Sequence, residues 1–349
     1  MKVLSVRNVY EALPQALQLL DEVGIRRNSR NGPVIMVPGG VTTVYSHPTE
    51  RVVFWPQRDA NPFFHLAEAL WMLDGRDDVE SLARYVKQVR QYSDDGTTFH
   101  GAYGARWRTW FGRDQLEEIA ETLRINPNDR RQVLQMWSAN SDLGRDGKDV
   151  PCNLVATFQK DEDGRLDLTV FCRSNDVIWG CYGANAVHFS ILLEYMASEV
   201  GCSVGTYTQV SVNWHAYIDK YEELREIPRP NPFTYRDWIM SGLYQEEHVC
   251  VVPMEGVTRE HIRDLLYEAD SGNFSYGWTH PWCAMVQRVL KAHYTFKALP
   301  SPGRYREAFN LLDTDDNLHT ADFIVAAREW IQRRWTQWSD KIQAQAERQ

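Results

Sequence analysis

The sequence predicts an α+β fold, a mixed β-sheet flanked by helices, and three observations lead there. Runs of β-branched and aromatic residues fill the middle third. Helical spacing of Leu, Val and Ala fills the two ends. The two patterns do not alternate as regular strand–helix–strand units, which would have pointed to a parallel α/β fold. With 349 residues, 43% hydrophobic and 24% charged, the chain has enough apolar material for a substantial core and no disordered character.

In chain order, Val9–Val23 has helical spacing and stops at Gly24. Arg26–Gly32 reads as a basic, turn-rich loop. Val34–Tyr45 and Val52–Trp55 read as extended segments broken by Gly and Pro. Pro62–Leu73 is expected as a helix ended by Gly75, and Val79–Tyr92 as a second helix, with a loop over Asp94–Tyr103. Gln115–Arg124 is helical before the turn signal Asn126–Asp129. Gln132–Trp137, Asn153–Lys160 and Leu166–Cys172 read as strands, the last two joined as a hairpin across Asp161–Gly164. Ala186–Glu199 is a long buried helix, Thr206–Asn213 a strand and His215–Leu224 a helix. The tail alternates helices with Pro-rich turns.

The formal net charge of -9 argues against broad nucleic-acid binding, which needs a basic surface. Any phosphate must instead meet a local arginine cluster. Six cysteines without a CxxC pair read as free thiols of a reducing compartment. The N-terminus makes a poor signal peptide, and no run of ~18 apolar residues marks a membrane span. A cytoplasmic location is expected. No residue set is assigned to a metal, and most of the 13 tryptophans read as core.

Several short motifs carry chemistry. Pro151-Cys152-Asn153 opens a strand after a polar loop, and alone the cysteine reads as a small buried hydrophobe. Cys172-Arg173-Ser174-Asn175-Asp176 ends the next strand. Its Arg and Ser suit a phosphate, and an Arg near a thiol favours thiolate. Asn185 opens the buried helix, where it suits a helix cap or the paired donor and acceptor edge of a pyrimidine. Arg130 and Arg131 precede a strand, and Arg26, Arg27 and Arg30 form another basic group. Trp214-His215-Ala216-Tyr217 starts the expected helix, with a His and a Tyr able to hold a sugar hydroxyl.

Taken in order, these motifs resemble the thymidylate synthase family, closest to its pyrimidine nucleotide hydroxymethylases. His65–Trp71 resembles the family's glutamate-bearing helix, and Ala102–Trp107 its Tyr-Gly loop. The resemblance spans roughly residues 10 to 230 and implies a sheet-to-sheet homodimer with shared active sites. The whole chain, 1–349, is expected as one catalytic domain with a divergent extension from about Asp237.

The resemblance also implies roles. Cys152 would attack C6 of a pyrimidine nucleoside monophosphate, and C5 would then take a one-carbon unit from 5,10-methylenetetrahydrofolate. Glu68 would organise water and proton transfer, and Tyr103 would help remove the C5 proton. Asn185 would read the base. Arg30, Arg173 and Ser174 would bind the 5′-phosphate, joined by Arg130 and Arg131 of a second subunit. His215 and Tyr217 would hold the ribose, and Asp176 would lie near the pterin.

Three departures bear on the product. Asn153 follows the nucleophile where methylating synthases usually carry His, Val89 stands where they carry a tryptophan that shields the intermediate, and the C-terminal tail differs. Trp107 or Trp278 could fill the space beside Val89. Less shielding favours water over hydride at the exocyclic methylene, hence hydroxymethyl over methyl. Methylation, and a catalytically silent nucleotide-binding dimer, stay as alternatives. Uracil and cytosine both stay open, since a flipped Asn185 amide satisfies either, as do ribose and deoxyribose. A one-residue insertion at Tyr182-Gly183-Ala184 is expected to reshape this pocket.

Overall fold

The computed structural model describes residues 1–225, 242–244 and 248–346. Among the described residues eight strands form a mixed sheet: β1 (Lys2–Val6), β2 (Ile25–Ser29), β3 (Gly32–Met36), β4 (Val41–Tyr45), β5 (Val133–Gln135), β6 (Asn153–Lys160), β7 (Leu166–Asp176) and β8 (Val204–Tyr217). The order is β1-β4-β8-β7-β6-β5, and the β2–β3 hairpin attaches to the end of β8 through β3. β1–β4 and β7–β8 are parallel and the other pairs antiparallel.

Helices of the first two thirds are α1 (Val9–Val23), α2 (Pro62–Asp74), α3 (Val79–Ala83), α4 (Tyr103–Arg108), α5 (Gln115–Ile125), α6 (Ala139–Asp142), α7 (Asn185–Val200) and α8 (Ile218–Leu224). The tail adds α9 (Arg259–Ser271), α10 (Pro281–Ala298), α11 (Gly303–Leu312) and α12 (Asp322–Ala346). Among the described residues, no helix is long and apolar enough to cross a membrane. The expected extension boundary at Asp237 lies outside the described residues.

Local chemistry explains the main elements. Asn61 caps α2 by accepting from Phe64 N at 3.1 Å, Pro62 sits in its first turn, and Gly75 ends it at φ 90°. Alternation sets the sheet faces. Leu166, Leu168, Val170 and Cys172 of β7 are buried, as are Tyr207, Gln209 and Ser211 of β8. On the opposite face Val133, Phe171 and Val212 are exposed.

Four expectations need correction. Arg26–Gly32 is not a loop: it forms β2 and the turn into β3, and because all of β2 is exposed no apolar alternation marks it. Val79–Tyr92 is not one helix. It breaks at Val86 (φ -135°) into α3 and a 3-10 turn over Lys87–Tyr92 that buries nothing, too little packing to hold a longer helix. His215–Tyr217 does not start a helix. Pairing with Met36, Ile35 and Val34 prolongs β8 through Tyr217. Among the described residues Val52–Trp55 joins no strand pairing, and Trp55 instead stacks on Tyr10 at 4.6 Å.

The loop before Cys152 is tied down by a buried ion pair. Arg106 of α4, fully buried, donates to Asp142 Oδ2 at 2.7 Å and Oδ1 at 2.9 Å, and to the Met136 carbonyl at 2.7 Å. Burial pushes the Asp142 carboxyl up, but Arg106, the Ser138 N–H and His100 outweigh it and hold it below the usual carboxylate range. Removing one partner strands a buried charge. Arg106→Met is therefore expected to cost about 3–5 kcal/mol. The shift in urea midpoint at constant slope measures it, and a loss below about 1 kcal/mol would deny the pair this role.

Candidate active site

Cys152 lies at the mouth of β6, beside the carboxyl ends of the parallel strands β7 and β8. There Asn153 pairs with Cys172, and Arg173 N donates to Cys152 O at 2.9 Å. Ser174 pairs with Asn213, and Asp176 with His215. The β2–β3 turn brings Arg30 to the same edge. The result is a cleft of about 620 Å³ lined by Arg30, Cys152, Arg173, Ser174, Asp176, His215 and Tyr217. Arg145 and Lys148 from the preceding loop, and Trp137, also line it. Four cationic side chains therefore line one cleft with the thiol in a protein of net charge -9, a layout suited to a phosphate monoester, with Arg145 also paired to Asp94 at 2.9 Å.

A second cavity, about 230 Å³, lies behind the cysteine and is lined by Glu68, Val89, Tyr103, Asn185, Asp149 and His188 among others. Trp71, Tyr92 and Phe99 supply aromatic wall. Neither Trp107, which is fully buried core, nor Trp278, which donates to Glu268 at 3.0 Å, lines it. Tyr103 joins the two spaces. Its hydroxyl accepts from Cys152 N at 3.0 Å and Asn153 N at 2.9 Å. Gly104 lets α4 sit directly on α2, since a Cβ there would fall 2.4 Å from Met72 O.

An amide chain forms the floor. Asn153 Nδ2 donates to Asn185 Oδ1 at 3.3 Å, Asn185 Nδ2 to Asn175 Oδ1 at 3.0 Å, and Asn175 Nδ2 to Ser211 Oγ at 3.0 Å. Asn185 is not the N-cap of its helix, because helical winding precedes it. Val177–Ala184 winds as a wide π-type turn kinked at Tyr182 and Gly183. A π-type turn is how a helix absorbs an added residue. Gly183 is required there, as a Cβ would lie 2.8 Å from Arg58 Nη2 and 3.0 Å from the Ile178 carbonyl.

The electrostatics correct one expectation. Burial pushes the Cys152 thiol up, and Asp149 adds to this. Arg173 and Arg30 pull it down without reversing it. Arg173 is close to the thiol, but it also donates to the Pro151 carbonyl at 2.8 Å and the Val150 carbonyl at 3.0 Å. Glu68 is pushed up to about 8 by burial and then by Asp149, so its carboxyl holds a proton at neutral pH.

Asp176 lines the larger cleft, accepting from Ile178 N at 2.9 Å and Trp179 N at 2.5 Å. Arg130 and Arg131 are exposed and line neither space, and Arg131 pairs with Asp129. Sequence reasoning missed Arg145, Lys148, Asp149 and His188. The first three stand within seven residues of the cysteine, which was the available signal; His188 sits in an apolar helix with none.

Fold and site together define an enzyme built on a cysteine at the base of a cationic, nucleotide-sized cleft. A family model described as thymidylate synthase matches residues 18–240. The chain is 51% identical over 341 residues to the deoxyuridylate hydroxymethyltransferase of Pseudomonas phage M6, covering 96% of this chain and 95% of that protein. It is 41% identical over 188 residues to the deoxyuridylate hydroxymethyltransferase of Bacillus phage SP01, covering 51% of this chain and 49% of that one. Among solved structures, thymidylate synthase from T4 phage shares the fold at a TM-score of 0.50 and 22% identity, over 63% of this chain and 81% of that chain. The chain belongs to the thymidylate synthase family, a family of one-carbon transferases.

The thiol balance gives a direct expectation. Alkylation of Cys152, followed by peptide mass spectrometry, should reach half its limiting rate above the usual thiol value of 9.0, because burial dominates. Arg173→Gln should move that midpoint higher still. A midpoint below 9.0 in the unsubstituted protein would show the arginines winning instead.

Proposed function

We propose that the chain transfers a hydroxymethyl group to C5 of deoxyuridylate, with 5,10-methylenetetrahydrofolate as the carbon donor. The carrying observation is the 51% identity across 96% of this chain to a protein named for deoxyuridylate hydroxymethyl transfer. The geometry is consistent with it. Arg30, Arg173 and Ser174 meet the 5′-phosphate, with Arg145 and Lys148 adding charge, and His215 and Tyr217 take the ribose. Cys152 adds to C6, which makes C5 nucleophilic.

Asn185 keeps one free Nδ2 hydrogen and one free Oδ1 lone pair after its bonds to Asn175 and Asn153. These match uracil O4 and N3–H. Cytosine presents the reverse pattern and would need the whole amide chain turned over. Protonated Glu68 and the phenol of Tyr103 hold water near C4 and C5, and that water receives the C5 proton. Asp176 and the wall formed by Val89, Trp71 and Phe99 would hold the pterin. Val89 is small, and Asp149 puts a carboxyl in the same cavity, so water is retained at the exocyclic methylene and hydride transfer is disfavoured.

The open sheet face supports pairing with a second copy. Phe171 and Val212 are exposed there, among half-buried Val44, Val155, Thr157, Thr169, Thr208 and Val210. Such pairing gives Arg130 and Arg131 a role in the partner's phosphate site. The phage relatives fit work in the cytoplasm of an infected host.

Mass spectrometry of the product from dUMP and methylenetetrahydrofolate is expected to show gain of CH₂O without the absorbance of dihydrofolate. Gain of CH₂ with dihydrofolate would replace this reading by methylation, and no exchange of the C5 hydrogen would replace it by a silent binder. Asn185→Asp is expected to move the kcat/KM preference from dUMP to dCMP by about tenfold or more, since a protonated carboxyl donates to N3 and accepts from N4. An unchanged preference would remove Asn185 as the base-reading residue.

A further inference from the structure

Burial and then Asp149 raise the Glu68 carboxyl, but the roles above leave His188 of the second cavity without one. His188 stands in the first turn of α7, three residues after Asn185, and is 5% exposed. Its Nε2 lies 3.2 Å from Glu68 Oε2, yet makes no hydrogen bond among the described residues. A buried nitrogen left unbonded is destabilising unless a partner arrives. Burial holds the imidazole neutral, bringing it down to about 3 against an opposing interaction with the His65 backbone. The neighbouring carboxyl carries a proton and the ring carries a lone pair. A small rotation of either joins them.

We propose that His188 is a positioning residue for the water step: its Nε2 accepts a hydrogen bond from the Glu68 carboxyl O–H and leaves the other carboxyl oxygen to hold the water that attacks the C5 methylene. This rests on the hydroxymethyl reading above. Before the step, tetrahydrofolate has left and the nucleotide carries an exocyclic C5 methylene while bonded through C6 to Cys152. The water oxygen bonds to the methylene carbon, and the C5–methylene double-bond pair moves onto C4–O4 as an enolate. A neighbouring water carries the released proton to O4, giving the enol, while Nε2 keeps its hydrogen bond from the Glu68 carboxyl and takes no proton. The enol then reforms the C5–C6 double bond and breaks the C6–S bond. Its O4 proton passes back through water to the departing thiolate. No oxidant or reductant is consumed.

Two variants in the full chain test this, assayed with dUMP, methylenetetrahydrofolate and 2-mercaptoethanol, a thiol able to capture a methylene that water does not. His188→Met keeps an apolar filling and removes the acceptor, while His188→Gln keeps an acceptor. For His188→Met, C5-hydrogen exchange is expected to stay within about threefold, while hydroxymethyl product falls about tenfold or more and a thioether adduct replaces it. His188→Gln is expected to partition as the unsubstituted protein does. Equal losses of exchange and hydroxymethyl product in His188→Met, or unchanged partition there, would overturn the proposal. So would collapse of the hydroxymethyl share in His188→Gln, which decides alone if the methionine variant does not fold. A methyl product with dihydrofolate from the unsubstituted chain would instead fail the functional reading itself, and that is visible before any variant is made.

Discussion

Two backbone amides at the reactive cysteine hang from one oxygen. The Tyr103 phenol accepts from Cys152 N and Asn153 N, so the thiol sits wherever α4 places that ring. α4 is placed in turn by Gly104 against the backbone of α2, with no room for even a methyl group. α2 carries Glu68. Nucleophile and carboxyl are thereby held by one contact between two short stretches of backbone, and Arg106 in the same α4 fixes the loop leading into Cys152 through Asp142. Displacing α4 would disturb each of these groups together.

This arrangement buries groups that water would rather keep. Burial raises the thiol and raises Glu68 to about 8, and the two shifts have opposite uses. A protonated Glu68 can donate a hydrogen bond where a carboxylate could only accept. A protonated Cys152 is a poor nucleophile, and Arg173 and Arg30 only partly compensate. Restraint of this kind fits a site in which the thiol need not react until a substrate has displaced water and ordered the cleft.

The sequence made the cleft legible where motifs are contiguous in strands. Arg173, Ser174 and Asp176 follow one strand, and a parallel neighbour sets His215 opposite Asp176, so the order of motifs becomes adjacency in space. It was less legible where an element owes its form to a distant partner. β2 has no buried residue to betray it, and the end of β8 is a strand only because β3 pairs with it. His188 is the hardest case. In an apolar helix a histidine reads as core, and its meaning appears only when α2 sets Glu68 at 3.2 Å. The inserted residue before Asn185 was visible as a count, but its form, a π-type turn with a glycine pressed on Arg58, needed the fold.

The C-terminal helices bear on the same constraint from behind. α2 is buried almost all round: Phe63, His65, Leu66, Ala67, Leu70 and Trp71 lie inside, whereas a helix packed on one side needs only an apolar stripe. The tail supplies the second side. Phe63 meets His293 of α10 at 5.2 Å and Trp330 of α12 at 5.5 Å between ring centres. Arg76, just past the end of α2, pairs with Asp270 of α9 at 2.7 Å. Arg334 of α12 reaches Asp59, before α2 begins, at 2.7 Å. Glu194 of α7 accepts from Met254 N at 3.1 Å and pairs with Arg51. The helix that bears Glu68 is thus held at both ends and along its back by residues from beyond the segment that matches the family model, and Met254 ties the same region to the helix that bears His188. A carboxyl that must stay within hydrogen-bonding reach of an imidazole gains from a support of that kind, because a displacement of one ångström in α2 would separate them.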